Sequence, residues 1–243
     1  MKKELEIFDK YYNKYSVIKE IDKKRTHSHR VAKYSEKIAK SLNYRRNDID
    51  LAIKCGLLHD IGRVPQFYYY KTYNDEISID HGDAGYDLLK DENYDNETVL
   101  NAVKYHNKYE ISKDLSEKDT KMCNIVRDAD KLDIMFTQGL ELEGDNYDIS
   151  DDIINCFKNH QMVHNCHETN DLYMILRLLA FIFDFNYEFS FKYVRGNNLI
   201  ENKMNIIRKK ISNEKVDLIE NILNEYIDDR LKNKDGVKHG RIR

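Results

Sequence analysis

The stretch Leu51-Ala-Ile-Lys-Cys-Gly-Leu-Leu-His-Asp-Ile-Gly-Arg63 decides how the rest of the chain is read. Leu51, Ala52, Cys55 and Leu58 recur at the spacing of one helix face, and Asn47 is placed to cap a helix over residues 48–60. Gly62 and Pro65 then stop it. An apolar stripe thus ends on two side chains, His59 and Asp60, that an apolar interior does not accept unpaired. Burying an ionised carboxylate costs several kcal/mol unless it is paired or binds a cation.

Outward from this stretch the pattern stays helical. Towards the N-terminus, Leu5, Phe8, Tyr12 and Tyr15 share one face; a charged break at residues 22–25 separates them from a second face of Val31, Tyr34, Ile38 and Leu42. Towards the C-terminus, Asp80 or a neighbour caps a short helix through Leu88 and Leu89. Asp95 or Asn96 caps another, carrying Val99, Ala102, Val103 and His106. Ser116-x-x-Asp119 resembles a capping box ahead of Met122, Val126, Ala129 and Asp130. Beyond residue 144, Ser150 and Asp151 open a helix, and residues 172–191 form a very apolar stretch interrupted by Arg177 and Asp184. That run is core rather than a membrane span. Amphipathic helices at 200–211 and 214–231 precede a basic tail ending at residues 239–243.

Composition agrees with this reading. The chain of 243 residues contains one Pro and nine Gly, too few for the turns of a many-stranded sheet, so the fold class is all-α. Forty basic and 43 acidic side chains leave a net charge of -3, without the basic field that holds long nucleic acid. No apolar leader follows the charged N-terminus, and four scattered Cys without a C-x-x-C pair suit a reduced, cytoplasmic protein with no disulfide. The expected organisation is a ligand-bearing domain over 1–145 and a helical extension over 146–243 packed on it.

Five segments each deliver a His or Asp to an inward position: His27, His59 with Asp60, His81, His106 and Asp130. His27 aligns with Val31, Tyr34 and Ile38, whereas His29 aligns with Lys33, Glu36 and Lys40 and faces water. A shared cation satisfies such a set together. The direction of His81 is the least constrained, because residues 78–81 read equally well as loop.

The segments THSHRVA (26–32), GLLHDIGR (56–63), DHGDAGYDLL (80–89), AVKYHN (102–107) and RDADKLD (127–133) follow one another in an order that resembles the HD-domain superfamily of metal-dependent phosphohydrolases. The likeness spans about residues 20–140 and implies an HD-domain helical bundle there, to which the helices beyond residue 145 are a C-terminal extension. It implies one metal on His27, His59, Asp60 and Asp130, and a second on His81 and His106 with Asp60 bridging. Two divalent ions against two carboxylates and four neutral imidazoles leave a positive site suited to an anionic phosphate ester. Metal-bound hydroxide, formed because the pKa of bound water falls to about 7, then attacks phosphorus. Nitrogen and oxygen donors without thiolate suit Fe, Mn, Co, Ni or Zn.

Asp60 and Arg63 are the catalytic candidates, with Arg63 the first substrate contact because a guanidinium grips two phosphate oxygens at once; Lys131 and Lys104 are weaker substrate contacts, each read sooner as solvated surface lysine. Asp83, Asp128 and Asp133 are candidates to orient the ligands. The expected substrate is a small phosphorylated compound, a nucleotide before a phosphoprotein, with neither long nucleic acid nor membrane as partner; a homodimer is compatible with the sequence. The alternatives are a di-iron oxygenase on the same six ligands and a nucleotide-binding protein without turnover. Phe67, Tyr68, Tyr69 and Tyr70 read as a core or lid cluster sooner than a base-stacking platform. Cys156, His160 and His164, then Cys166 and His167, read as packing helix sooner than a zinc site.

Overall fold

The computed structural model describes residues 1–144, 147–163 and 170–232. These form twelve α-helices and two short 3-10 turns without a strand among the described residues: α1 (Lys2–Lys14), α2 (Lys19–Ser41), α3 (Arg46–Leu58), α4 (Arg63–Tyr70), α5 (His81–Asp91), α6 (Glu97–Tyr105), α7 (Glu117–Thr137), α8 (Asp151–Lys158), α9 (Asp171–Ala180), α10 (Glu188–Gly196), α11 (Leu199–Arg208) and α12 (Glu214–Lys232). The all-α expectation holds. The chain divides into two compact units, Met1–Asp133 and Ile134–Arg243.

In the first unit α2 lies along α3, α3 also packs on α1 and α6, α5 packs on α6, and α4 joins α2 to α5. Phe8, Tyr12, Ile21, Val31, Ile38, Ala52, Cys55, Leu58, Leu89, Val99 and Val103 form its interior. Asp80 and Asn96 cap α5 and α6, accepting from the Asp83 and Val99 backbone N–H groups at 3.0 and 3.1 Å, and Ser116 accepts from Asp119 N–H at 3.1 Å. Each satisfies a donor that the first turn of a helix leaves orphaned.

Several boundaries differ from expectation. The charged residues 22–25 do not break the chain; the break falls at Tyr15–Ile18, and α2 runs through them with Lys24 on the face of His27. α3 begins at Arg46 without a side-chain cap, so Asn47 is not the N-cap, and it ends at Leu58, just before the doublet. Pro65 does not end a helix but sits in the first turn of α4, where its missing N–H would have had no intrahelical acceptor. In α1, Leu5 is exposed while Glu4 is buried. Glu4 accepts from Tyr94 Oη at 2.7 Å and pairs with Lys54 Nζ at 3.1 Å and the Met1 ammonium at 2.8 Å.

Close approach explains Gly62. A Cβ there would run into the carbonyl of His81 and come within 2.6 Å of the Gly85 nitrogen, so only glycine lets the start of α5 rest on the turn that carries His59-Asp60.

In the second unit α12 packs on α8, α10 and α11, and α11 also meets α9. Phe157, Leu176, Leu179, Phe191, Met204, Ile207, Ile219 and Leu223 fill it. The apolar stretch at 172–191 is two helices joined by a 3-10 turn, and no described helix is long and apolar enough to cross a membrane. Cys156 lies in α8, but His160 lies beyond its end with φ 53° and its ring against Phe183 and Tyr226. His164, Cys166, His167 and the tail at 239–243 fall outside the described residues.

Candidate metal centre

The six expected ligands meet in the first unit. His27 comes from the middle of α2, His59 and Asp60 from the turn after α3, His81 from the first position of α5, His106 from the residue after α6, and Asp130 from the interior of α7. His27, His59, Asp60, His81 and His106 are buried, while the Asp130 side chain keeps 23% of its surface exposed.

Asp60 divides the cluster in two. Its Oδ2 lies 3.6 Å from the Nε2 atoms of both His27 and His59, and its Oδ1 lies 3.4 and 3.6 Å from those of His81 and His106. Asp130 Oδ1 closes the first half, 3.0 Å from His27 Nε2 and 3.7 Å from His59 Nε2. Two groups are therefore able to hold a metal ion, His27–His59–Asp60 and Asp60–His81–His106.

The far side of every imidazole is already engaged. His59 and His106 donate through Nδ1 to the carbonyls of Gly56 and Val103, both at 2.8 Å, which a carbonyl can only accept. His27 and His81 place Nδ1 at 2.6 Å from carboxylate oxygens of Asp133 and Asp75. With the Nδ1 atoms serving as donors, the Nε2 lone pairs face inward, 3.3 Å apart in the first half and 3.0 Å apart in the second. Lone pairs so close repel unless a proton or a metal ion lies between them, and this orientation by carboxylate or carbonyl is how metal-binding imidazoles are held. The donors present fit divalent metal ions.

Charge reinforces the fit. Burial opposes the Asp60 carboxylate, but the ammonium of Lys24 at 2.8 Å, the imidazoles of His59 and His106, and Arg63 outweigh it and hold the group well below the usual carboxylate range. Burial likewise opposes Asp130, and hydrogen bonds from His27 and His59 hold it well below. For His27 burial favours the neutral ring, yet Asp130 and Asp133 push it up to about 9; burial pushes His106 down to about 4. Protonation and metal binding would therefore compete for the His27 ring.

Arg63 opens α4 beside the cluster. Its Nη1 is fully committed, to Asp75 Oδ1 at 2.8 Å, Gln66 Oε1 at 2.8 Å and the Tyr73 carbonyl at 2.7 Å. Its Nε is buried without a hydrogen-bond partner, 3.5 Å from Asp60 Oδ1, and its Nη2 makes no hydrogen bond among the described residues. Lys131 is buried in α7 with its ammonium 3.5 Å from the Arg127 carbonyl. Lys104 lies over the Tyr86 ring, and Asp83 pairs with Lys108. Of the three candidate orienting acids, Asp133 contacts a ligand, and Arg30 grips it from the other side through Nε and Nη2 at 2.6 and 2.9 Å.

Two participants escape a sequence reading. Lys24 precedes His27 by three positions, so helical spacing alone places it on the same face. Asp75, in the 3-10 turn Asp75–Ile77, has no periodic signal to mark it.

Compared with models of protein families, residues 25–135 match the one described as HD domain, a segment that contains all six ligands. No curated protein and no solved structure matches the chain.

Proposed function

From the premise that the chain carries an HD domain over residues 25–135, the mark of a superfamily of metal-dependent phosphohydrolases, we propose that it hydrolyses a small phosphorylated compound at a dinuclear centre, with a nucleotide as the favoured substrate class. One observation carries the reading: four inward Nε2 atoms and two carboxylates gather around Asp60, whose two oxygens address different His pairs. His27, His59, Asp60 and Asp130 would hold one ion, and Asp60, His81 and His106 the other. When bound, such ions supply Lewis acidity towards phosphoryl oxygens and lower the pKa of water to about 7.

The protein's own groups do the rest. The Nε–Nη2 edge of Arg63 is the side-on fork that a guanidinium offers to two oxygens, the same edge by which Arg30 holds Asp133; it makes no hydrogen bond among the described residues, and its Nε lies 3.5 Å from Asp60 Oδ1. It favours an anionic substrate group next to Asp60. Lys24 adds a second cation against Asp60, steadied by the Tyr73 ring 5.4 Å from its ammonium. Tyr12 fixes the doublet from below by donating to the Asp60 carbonyl at 3.2 Å.

The test is metal analysis of freshly purified protein followed by phosphate release from mononucleotides, dinucleotides and simple phosphate esters with Mn, Co, Ni, Zn or Fe. Metal-dependent release that falls in Arg63→Ala through a raised KM supports the proposal. Dioxygen consumption by iron-loaded protein without phosphate release would contradict it in favour of oxygenase chemistry.

A further inference from the structure

Asp75 touches both parts of the machinery at once. Its Oδ2 lies 2.6 Å from His81 Nδ1, and its Oδ1 accepts from Arg63 Nη1 at 2.8 Å. The same carboxylate accepts from Gln66 Nε2 at 2.8 Å through Oδ1 and from Asn107 Nδ2 at 3.2 Å through Oδ2. Gln66 is fully buried and also donates to Ser78 Oγ and the Ile79 carbonyl, at 2.9 and 3.0 Å, so the turn bearing Asp75 is stitched to α4. Four donors around two oxygens leave the carboxylate one orientation.

We propose that Asp75 is a positioning residue that builds the second half of the centre and the anion fork together. Through Oδ2 it keeps the His81 proton on Nδ1 and the ring turned so that Nε2 faces His106 and Asp60. Through Oδ1 it anchors Arg63 by Nη1, which leaves the Nε–Nη2 edge for a phosphoryl group. The inference rests on the dinuclear reading above and assigns to one acid the coupling of a metal ligand to a substrate contact. An amide at this position keeps the shape but loses the negative charge that the His81 imidazole and the Arg63 guanidinium both face, and only one of its two atoms accepts hydrogen bonds, so both contacts weaken.

The experiment uses the full chain and Mn(II) as the metal probe, titrated calorimetrically and checked by elemental analysis, with inorganic phosphate as the anion probe and a thermal melt for each variant. The wild type is expected to bind two ions. In Asp75→Asn the weaker ion is expected to bind about 10–100-fold less tightly, the range seen when an orienting partner of a metal ligand is removed, with the tighter ion unchanged. Phosphate binding weakens with it, and Asp75→Glu recovers part of both. A residue that only stabilises the fold would not split the two ions in this way. Both ions held at wild-type affinity in Asp75→Asn, or both lost together, overturns the proposal. A wild type that binds fewer than two ions overturns the dinuclear reading itself, and this inference falls with it.

Discussion

The two halves of the centre share Asp60 and each adds two imidazoles, but the first has Asp130 besides, and the two stand on different supports. The first takes His27 and Asp130 from the interiors of long helices, and its orienting acid, Asp133, is fully buried under a two-bond grip from Arg30. The second takes His81 from the first position of one helix and His106 from just beyond another, and its orienting acid stands on a 3-10 turn with 29% of its side chain exposed. Helix interiors are held by hydrogen bonds on both sides, whereas ends and turns open at lower cost. The difference teaches that ligand set and support point the same way: the first half, with Asp130 added and two of its ligands in helix interiors, is the expected tight site, and the second, with one carboxylate fewer and its imidazoles at helix ends, the exchangeable one.

The most severe way to break the comparison is to remove what the halves share. Asp60→Ala is expected to lose both ions and to lower phosphate release about a thousandfold, some 4 kcal/mol of transition-state stabilisation; elemental analysis beside a steady-state assay reads both. Asp133→Asn strikes the first half alone. It leaves one amide oxygen where two charged oxygens faced Arg30 and His27, so unfolding stability should fall by about 1–3 kcal/mol in a denaturant titration, with the tight ion loosened about 10–100-fold and the exchangeable one kept. Retention of the tight ion at full affinity in Asp133→Asn would erase the distinction between the halves.

Lys24→Met sharpens the comparison by taking away a positive charge that competes with cations for Asp60 Oδ2. Because the ammonium is partly solvated, the gain is modest, about three- to tenfold tighter Mn(II) binding by calorimetry, greater in the first half, to which Oδ2 turns.

How far the sequence reaches follows the same division. His27, His59, His106 and Asp130 were legible because a period of 3.6 residues tells inward from outward, and the exposed His29 passed the same test. The helix before the doublet was expected to run to residue 60 rather than to Leu58, and α4 was not foreseen, since Pro65 breaks a helix interior but is at home in a first turn. Asp75 was invisible because a turn has no period, and its partners Arg63, Gln66, His81 and Asn107 come from three segments, which meet closely where Gly62 rests on His81 and where Gly82 rests on Asn107. Lys24 was legible in principle, but charged residues 22–25 read more readily as a break than as a helix passing under the centre.

A control lies in neither half. Burial works to raise the Glu4 carboxyl, but hydrogen bonds from the Met1 ammonium, Tyr94 and Lys54 outweigh it and bring it down to about 2 from an ordinary 4.5. A depressed carboxyl stabilises the fold fully above its unfolded pKa, so this contribution is intact above about pH 4.5 and fades as pH falls towards 2. Glu4→Gln should therefore cost about 1–2 kcal/mol at pH 7, progressively less below pH 4, and leave metal binding unchanged.

Electron paramagnetic resonance of the Mn(II)-loaded protein addresses the shared carboxylate most directly. Two ions bridged by Asp60 are expected to give the spectrum of a magnetically coupled pair at two equivalents, replaced in Asp60→Ala by the signal of unbound ion. A spectrum of isolated ions at two equivalents in the wild type, or a coupled pair that survives in Asp60→Ala, would contradict the account.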